Sequence, residues 1–193
     1  MPYIIFPLGN PGLKYSETRH NAGLFVFEKI KDDLQQLNNK LKDKLEKNLE
    51  DNLESKSEEN ILIFLPKCFM NESGKYLKDF LQNNFPNNLQ NLIVMYDDKD
   101  LEIGDVRIAV DRGDGGHNGL KSIIQNLQTK NFYRIRIGIA PKGTGQNNLI
   151  PPHGTVVQEY VLAKMTNYEK EILSDKKFLE KVLKLIGEIL NKK

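Results

Sequence analysis

Gly9-Asn10-Pro11-Gly12-Leu13-Lys14-Tyr15-Ser16-Glu17-Thr18-Arg19-His20-Asn21-Ala22-Gly23 stands between two segments of different hydrophobic period. Before it, Tyr3 to Leu8 is an apolar run of strand length. After it, Leu24, Phe27, Ile30 and Leu34 recur at helical spacing. The stretch is therefore a strand-to-helix connection. In open α/β sheets, ligands sit beyond the carboxyl ends of the strands, so Asn10, Tyr15, His20 and Asn21 fall where polar side chains do chemistry. Asn-Pro-Gly is also ordinary turn chemistry and a lone histidine commonly packs, so this loop by itself leaves both readings open.

The rest of the chain repeats the strand-then-helix pattern. Ile61–Leu65, closed by Pro66, Leu92–Tyr96, Val106–Val110 and Arg134–Ile139 read as strands, the last with two outward arginines. Leu92–Tyr96 is unbroken apolar sequence, as in a strand covered on both faces. Helices are expected over Leu24–Asn39, over Ser73–Asn83 with Asn71 or Ser73 as N-cap, over Asn118–Leu127, and as one final helix over Asn167–Leu190. Leucines at 34, 37, 41, 45, 49 and 53 extend the first helical pattern into a polar, solvated excursion over residues 34–60. Residues 141–155, punctuated by glycine and proline, read as a long lid-like loop. The alternation predicts a single three-layer α/β/α domain over residues 1–193, with a mixed, mainly parallel central sheet.

Composition narrows the function classes. With 193 residues and 39% hydrophobic residues, the chain can bury one sizeable core. No run approaches the length of a membrane span, and the N-terminal apolar run lacks a basic lead-in and a cleavage site, so the expectation is a soluble, cytoplasmic protein. A single cysteine, Cys68, forms no internal disulfide and makes an unconvincing nucleophile. The net charge of +2 demands no nucleic-acid partner, so any such binding must come from a local basic patch.

Two further stretches stand at strand ends. Pro66-Lys67-Cys68-Phe69-Met70-Asn71-Glu72-Ser73-Gly74 is a strand exit that also fits simple helix capping. Asp111-Arg112-Gly113-Asp114-Gly115-Gly116-His117-Asn118-Gly119-Leu120-Lys121 places glycines before a helix start, where backbone amides approach anions. It is neither a Walker A loop, because Leu120 separates Gly119 from Lys121, nor a dinucleotide fingerprint, because Asn118 stands where glycine is required.

Together these stretches, with Asp97, Asp100-Leu101 and Arg134-Ile135-Arg136-Ile137-Gly138-Ile139, resemble the bacterial-type peptidyl-tRNA hydrolase family in order and approximate spacing across residues 3–165. The resemblance implies an enzyme that hydrolyses the ester between a peptide and tRNA, releasing both after abortive translation. It also implies a monomer with no obligate protein partner, no metal and no cofactor. Carried over by position, His20 is the catalytic histidine and Asp97 the carboxylate orienting it. Asn10 and Asn71 bond the substrate near the ester, Asn118 and its neighbour His117 belong to the peptide side, and Tyr15 and Met70 line the junction of ester and tRNA end. His117 is equally readable as a turn residue satisfied by local backbone, and His153 as loop surface.

Departures from the family pattern matter. Pro7 stands in the first strand, which is expected to end early or bulge there. The family pairs Arg136 with a lysine to hold phosphate, but Ala109 occupies the lysine position. Arg107 shares its strand face and is the expected partner, with Arg112 a loop alternative. The family also places a short strand before Ile61, expected here within residues 49–55. Splicing cofactors of plant organelles resemble the same family and act as binding proteins, so a non-hydrolytic RNA-binding reading also stands; retention of His20, Asp97, Asn10 and Asn71 favours the enzyme.

Overall fold

The apolar run at the N-terminus forms strand β1 (Tyr3–Pro7), which lies inside the sheet with nearly every side chain buried. In the computed structural model, which describes residues 1–49, 61–86, 88–143 and 155–192, β1 pairs in parallel with β2 (Ile61–Ile63) and β3 (Leu92–Glu102). Strand β5 (Tyr133–Ala140) continues the parallel set beside β3, and β4 (Val106–Ala109) closes the edge antiparallel, giving the order β2-β1-β3-β5-β4. The expected mixed, mainly parallel sheet is the one that forms. No helix among the described residues is long and apolar enough to cross a membrane.

Strand alternation divides the core in two. Ile5, Ile93, Met95, Ile135 and Ile137 face α1 (Ala22–Leu49), α5 (Asn167–Ser174) and α6 (Lys176–Leu190). Ile4, Phe6, Val94 and Tyr96 face the other way, against α2 (Ser73–Asn84) and α3 (Asn118–Leu127). These are the three layers read from the alternation of elements. Helix α4 (Thr155–Leu162) buries no residue fully and joins the pocket end of the domain instead.

Pro7 does end its strand, for a reason visible in the ladder. Phe64 N donates to Ile5 O at 3.0 Å; the next rung toward β2 would need an N–H on residue 7, which proline lacks. On the other side Leu8 N still reaches Met95 O at 2.8 Å, so pairing with β3 runs on into the loop.

Several expectations need correction. The final helix is broken: Asp175 interrupts it and caps α6 by accepting from Lys177 N and Phe178 N. Neither Asn71 nor Ser73 caps α2. The helix instead continues from a 3₁₀ turn, Met70–Glu72, in which the Glu72 carboxylate accepts from Phe69 N. The arginines of β5 are not outward, since Arg134 is 0% and Arg136 6% exposed. β3 runs past Tyr96 through the acidic cluster to Glu102, because β5 offers pairing partners that far. Among the described residues α1 runs as far as Leu49; the rest of the stretch 49–55, where the extra strand was expected, and residues 144–154 of the expected lid-like loop lie outside the described residues.

Gly138 shows how closely β3 and β5 approach at this end. A Cβ there would lie 2.0 Å from the Glu102 carbonyl oxygen, which is backbone and cannot swing away. Gly138→Ala is expected to force the strands apart and cost about 1–3 kcal/mol, read as a lowered thermal midpoint; an unshifted midpoint would show that the strands separate freely.

Candidate active site

Thr18-Arg19-His20-Asn21 assigns one task to each side chain. Thr18 Oγ1 donates to Tyr15 O at 2.9 Å and its backbone bridges to Lys164. Arg19 forms a two-pronged ion pair with Glu169, at 2.7 and 3.0 Å, donates to Tyr160 O, and lies over the Tyr160 ring. Asn21 closes a reciprocal pair with the Asn10 backbone: Asn10 N donates to its Oδ1 at 2.8 Å, and its Nδ2 donates to Asn10 O at 2.9 Å. His20, in the same short turn, reaches Asp97 midway along β3. The loop is thus bolted on both sides of the histidine.

Asp97 is 3% exposed and accepts from two imidazoles. His20 Nδ1 lies 3.0 and 3.1 Å from its two carboxylate oxygens, and His117 Nε2 lies 2.9 Å from Oδ1. The two rings sit 4.7 Å apart. His117 caps α3, its Nδ1 accepting from Gly119 N and Leu120 N. A neutral imidazole that accepts at Nδ1 carries its proton on Nε2, so His117 donates to Asp97. Both readings of His117 therefore meet in one ring, satisfied by local backbone and turned into the site.

The same logic sets His20. Burial raises the Asp97 pKa, but the two imidazoles outweigh it and hold the carboxyl far below its usual range. An ionised Asp97 accepts from His20 Nδ1–H, leaving the Nε2 lone pair for the cavity that His20 lines. Burial tends to lower the His20 pKa; the charge and hydrogen bonds of Asp97 push harder, and the net displacement is upward. The ring is thereby oriented and made more basic.

His20, Asp97 and His117 bring one ligand-type atom each within 4.8 Å of one another, a grouping that invites a cation. The hydrogen bonds do not suit one. With His117 Nδ1 accepting from the α3 backbone, its Nε2 has no lone pair to give a metal unless the ring becomes imidazolate.

A cavity of about 550 Å³ opens over this group, lined by Asn10, Tyr15, Met70, Asn71, His117 and Asn118 among others. Every residue assigned to the catalytic and substrate roles thus converges here. Asn10 Oδ1 accepts from Met70 N at 2.8 Å, which pins the amide and leaves its Nδ2 without a hydrogen bond among the described residues. Val157, Gln158, Val161 and Leu162 of α4 form another wall, a contribution the sequence reading missed. Arg107 and Arg136 lie opposite one another across β4 and β5 but do not line the cavity. Burial pushes the Cys68 thiol pKa up, which keeps it protonated.

The family model for peptidyl-tRNA hydrolase matches residues 4–193. The chain belongs to the peptidyl-tRNA hydrolase family. A peptidyl-tRNA hydrolase of Thermoanaerobacter sp. (strain X514) is 39% identical over 173 residues, covering 90% of this chain and 85% of that protein. One from Mycoplasma mycoides subsp. mycoides is 36% identical over 190 residues, covering 98% and 94%. The crystal structure of peptidyl-tRNA hydrolase from Acinetobacter baumannii superposes with a TM-score of 0.65 at 24% identity, covering 98% of this chain and 93% of that one, a likeness of fold.

Proposed function

We propose that this chain hydrolyses the ester between the peptide C-terminus and the terminal ribose of peptidyl-tRNA, with His20 as general base. The observation that carries the reading is His20 Nδ1 held by the buried Asp97 carboxylate in the wall of a cavity that Asn10 and Asn71 also line. Water on Nε2 gives up a proton as its oxygen attacks the ester carbonyl carbon. Asp97 stabilises the imidazolium that forms. The carbonyl oxygen gains negative charge, which a side-chain amide of Asn10 or Asn71, both in the cavity wall, takes up as hydrogen-bond donor. Collapse of the tetrahedral intermediate breaks the bond to the ribose oxygen, which takes the proton back from His20. The products are free tRNA and a peptide carboxylic acid. Membership of the family supports this substrate class, and the chain is taken to act as a cytoplasmic monomer.

The test is release of tRNA from an N-acyl-aminoacyl-tRNA by purified protein in excess chelator, without nucleotide. Multiple turnovers are expected. Binding of the substrate without release would overturn the enzyme in favour of an RNA-binding protein.

A further inference from the structure

On β5, Arg134 and Arg136 alternate with Ile135 and Ile137, and their register partners on β3 are Val94 and Tyr96. They therefore enter the face shared with α2 and α3, and the backbone of Arg112 and Gly113 lies against Arg134. Arg136 is neutralised there: its Nε donates to Asp98 at 2.7 Å. Arg134 is not. Its Nη1 donates to Gly113 O at 2.7 Å, its Nη2 to the Arg112 carbonyl, and its guanidinium lies over the Phe132 ring. Nε has no acceptor, and no carboxylate pairs with the group among the described residues. Tyr96 lies against both arginines, but burial pushes its phenol to about 12, so it remains neutral and removes no charge.

An unneutralised buried cation projects a field that the interior screens poorly, and that field emerges where its cover is thinnest. The cover is the segment carrying Arg112, whose exposed side chain lines the cavity and makes no ion pair among the described residues. Lys99 also lines the cavity, but is held by Asp100 at 2.6 Å. Of the acids that line the cavity, Asp97 is held by two imidazoles, Asp98 by Arg136 and Asp100 by Lys99, while Asp114 accepts from Gly116 N; Asp111 lies 3.7 Å from Lys130.

We propose that Arg112, backed by Arg134, forms an anion subsite on the cavity rim that takes a phosphodiester of the tRNA 3′ end. This rests on the hydrolase reading above. In that substrate the peptide carboxyl is esterified and uncharged, so the anions fixed near the reacting bond are the phosphates of the terminal nucleotides. Arginine suits them because its planar guanidinium donates two parallel hydrogen bonds. Arg134 anchors the backbone on which Arg112 stands, so less order is lost when the contact forms. Arg107, preferred on strand alternation, sits on the edge strand 3.6 Å from Asp105, outside the cavity.

Arg112→Ala, Arg112→Glu and Arg107→Ala should be compared on peptidyl-tRNA and on a short N-acyl-aminoacyl ester without phosphates. Thermal midpoints would confirm that each variant folds. For Arg112→Ala the KM for peptidyl-tRNA should rise about tenfold, and the slope of log affinity against log salt should flatten by about one. The preference for peptidyl-tRNA over the short ester should fall in step, and Arg112→Glu should go further. The inference is overturned if Arg112→Ala keeps wild-type KM and salt slope, or if Arg107→Ala produces the larger defect. Affinity for deacylated tRNA supplies the same comparison independently of turnover. A wild-type protein that hydrolyses neither ester would sink the hydrolase reading, while this binding comparison would still decide the role of Arg112.

Discussion

Replacing His20 by Ala should lower the single-turnover rate on peptidyl-tRNA by about a hundred- to ten-thousandfold, the contribution of a positioned general base. His20 is 6% exposed, and its ring bonds only Asp97 among the described residues, while the backbone of its turn is held independently by Arg19 and Asn21. The variant should therefore fold and still bind substrate, so the loss should appear in the chemical step with KM little altered. Losing His20 also removes one of the two donors on buried Asp97; His117 remains to satisfy Oδ1. A modest drop in thermal midpoint is expected. A rate within about threefold of wild type would be too small a loss for the general base and would remove His20 from that role.

How far sequence reading reaches depends on the range of the interaction. Strands and helices were readable where apolar period is local, as in β1 and α3, whose expected span Asn118–Leu127 is the one observed. The break at Asp175 was also readable in principle. From Leu173 the next apolar residue is Phe178, five positions on, a step that falls off a helical face, with the capping residue Asp175 between them. Helix α4 has the local pattern Val156, Val157, Tyr160, Val161, but it follows a glycine- and proline-rich stretch whose punctuation dominated the reading. The burial of Arg134 and Arg136 was not readable. Strand alternation puts both on one face, and charge argues for solvent; only the tertiary fold brings a loop carbonyl pair and Asp98 over them. For the site, motif order singled out His20 and Asp97 through family resemblance, and the structure brings the two, 77 residues apart, into contact. The tasks of Asn21 and Glu169 needed the structure, because one braces a backbone and the other pairs across 150 residues.

Asp97→Asn should have a smaller effect on rate than His20→Ala, about ten- to a hundredfold at the pH optimum, and should shift the pH profile in a defined direction. Oδ1 accepts from both imidazoles, at 3.0 Å from His20 Nδ1 and 2.9 Å from His117 Nε2. An asparagine that keeps its oxygen there preserves the His20 tautomer with Nε2 free. Its amide nitrogen would then stand at the Oδ2 position, 3.1 Å from His20 Nδ1, opposing a donor with a donor and loosening the ring. The charge is lost as well. In the wild type, the charge and hydrogen bonds of Asp97 raise the His20 pKa against the lowering effect of burial. The base works only when neutral, so activity falls as pH drops through that pKa, and the acid limb of the wild-type profile should lie above the value of an ordinary imidazole. Removing the aspartate charge leaves burial dominant, lowers the His20 pKa, and moves the acid limb to lower pH even as the plateau rate falls. Profiles of kcat/KM for the two proteins would show this as a variant curve that is lower in height and has its acid limb at lower pH than the wild type. An acid limb that stays in place would mean that His20 is not the titrating base, and a rate loss equal to that of His20→Ala would mean that Asp97 takes part in proton transfer itself.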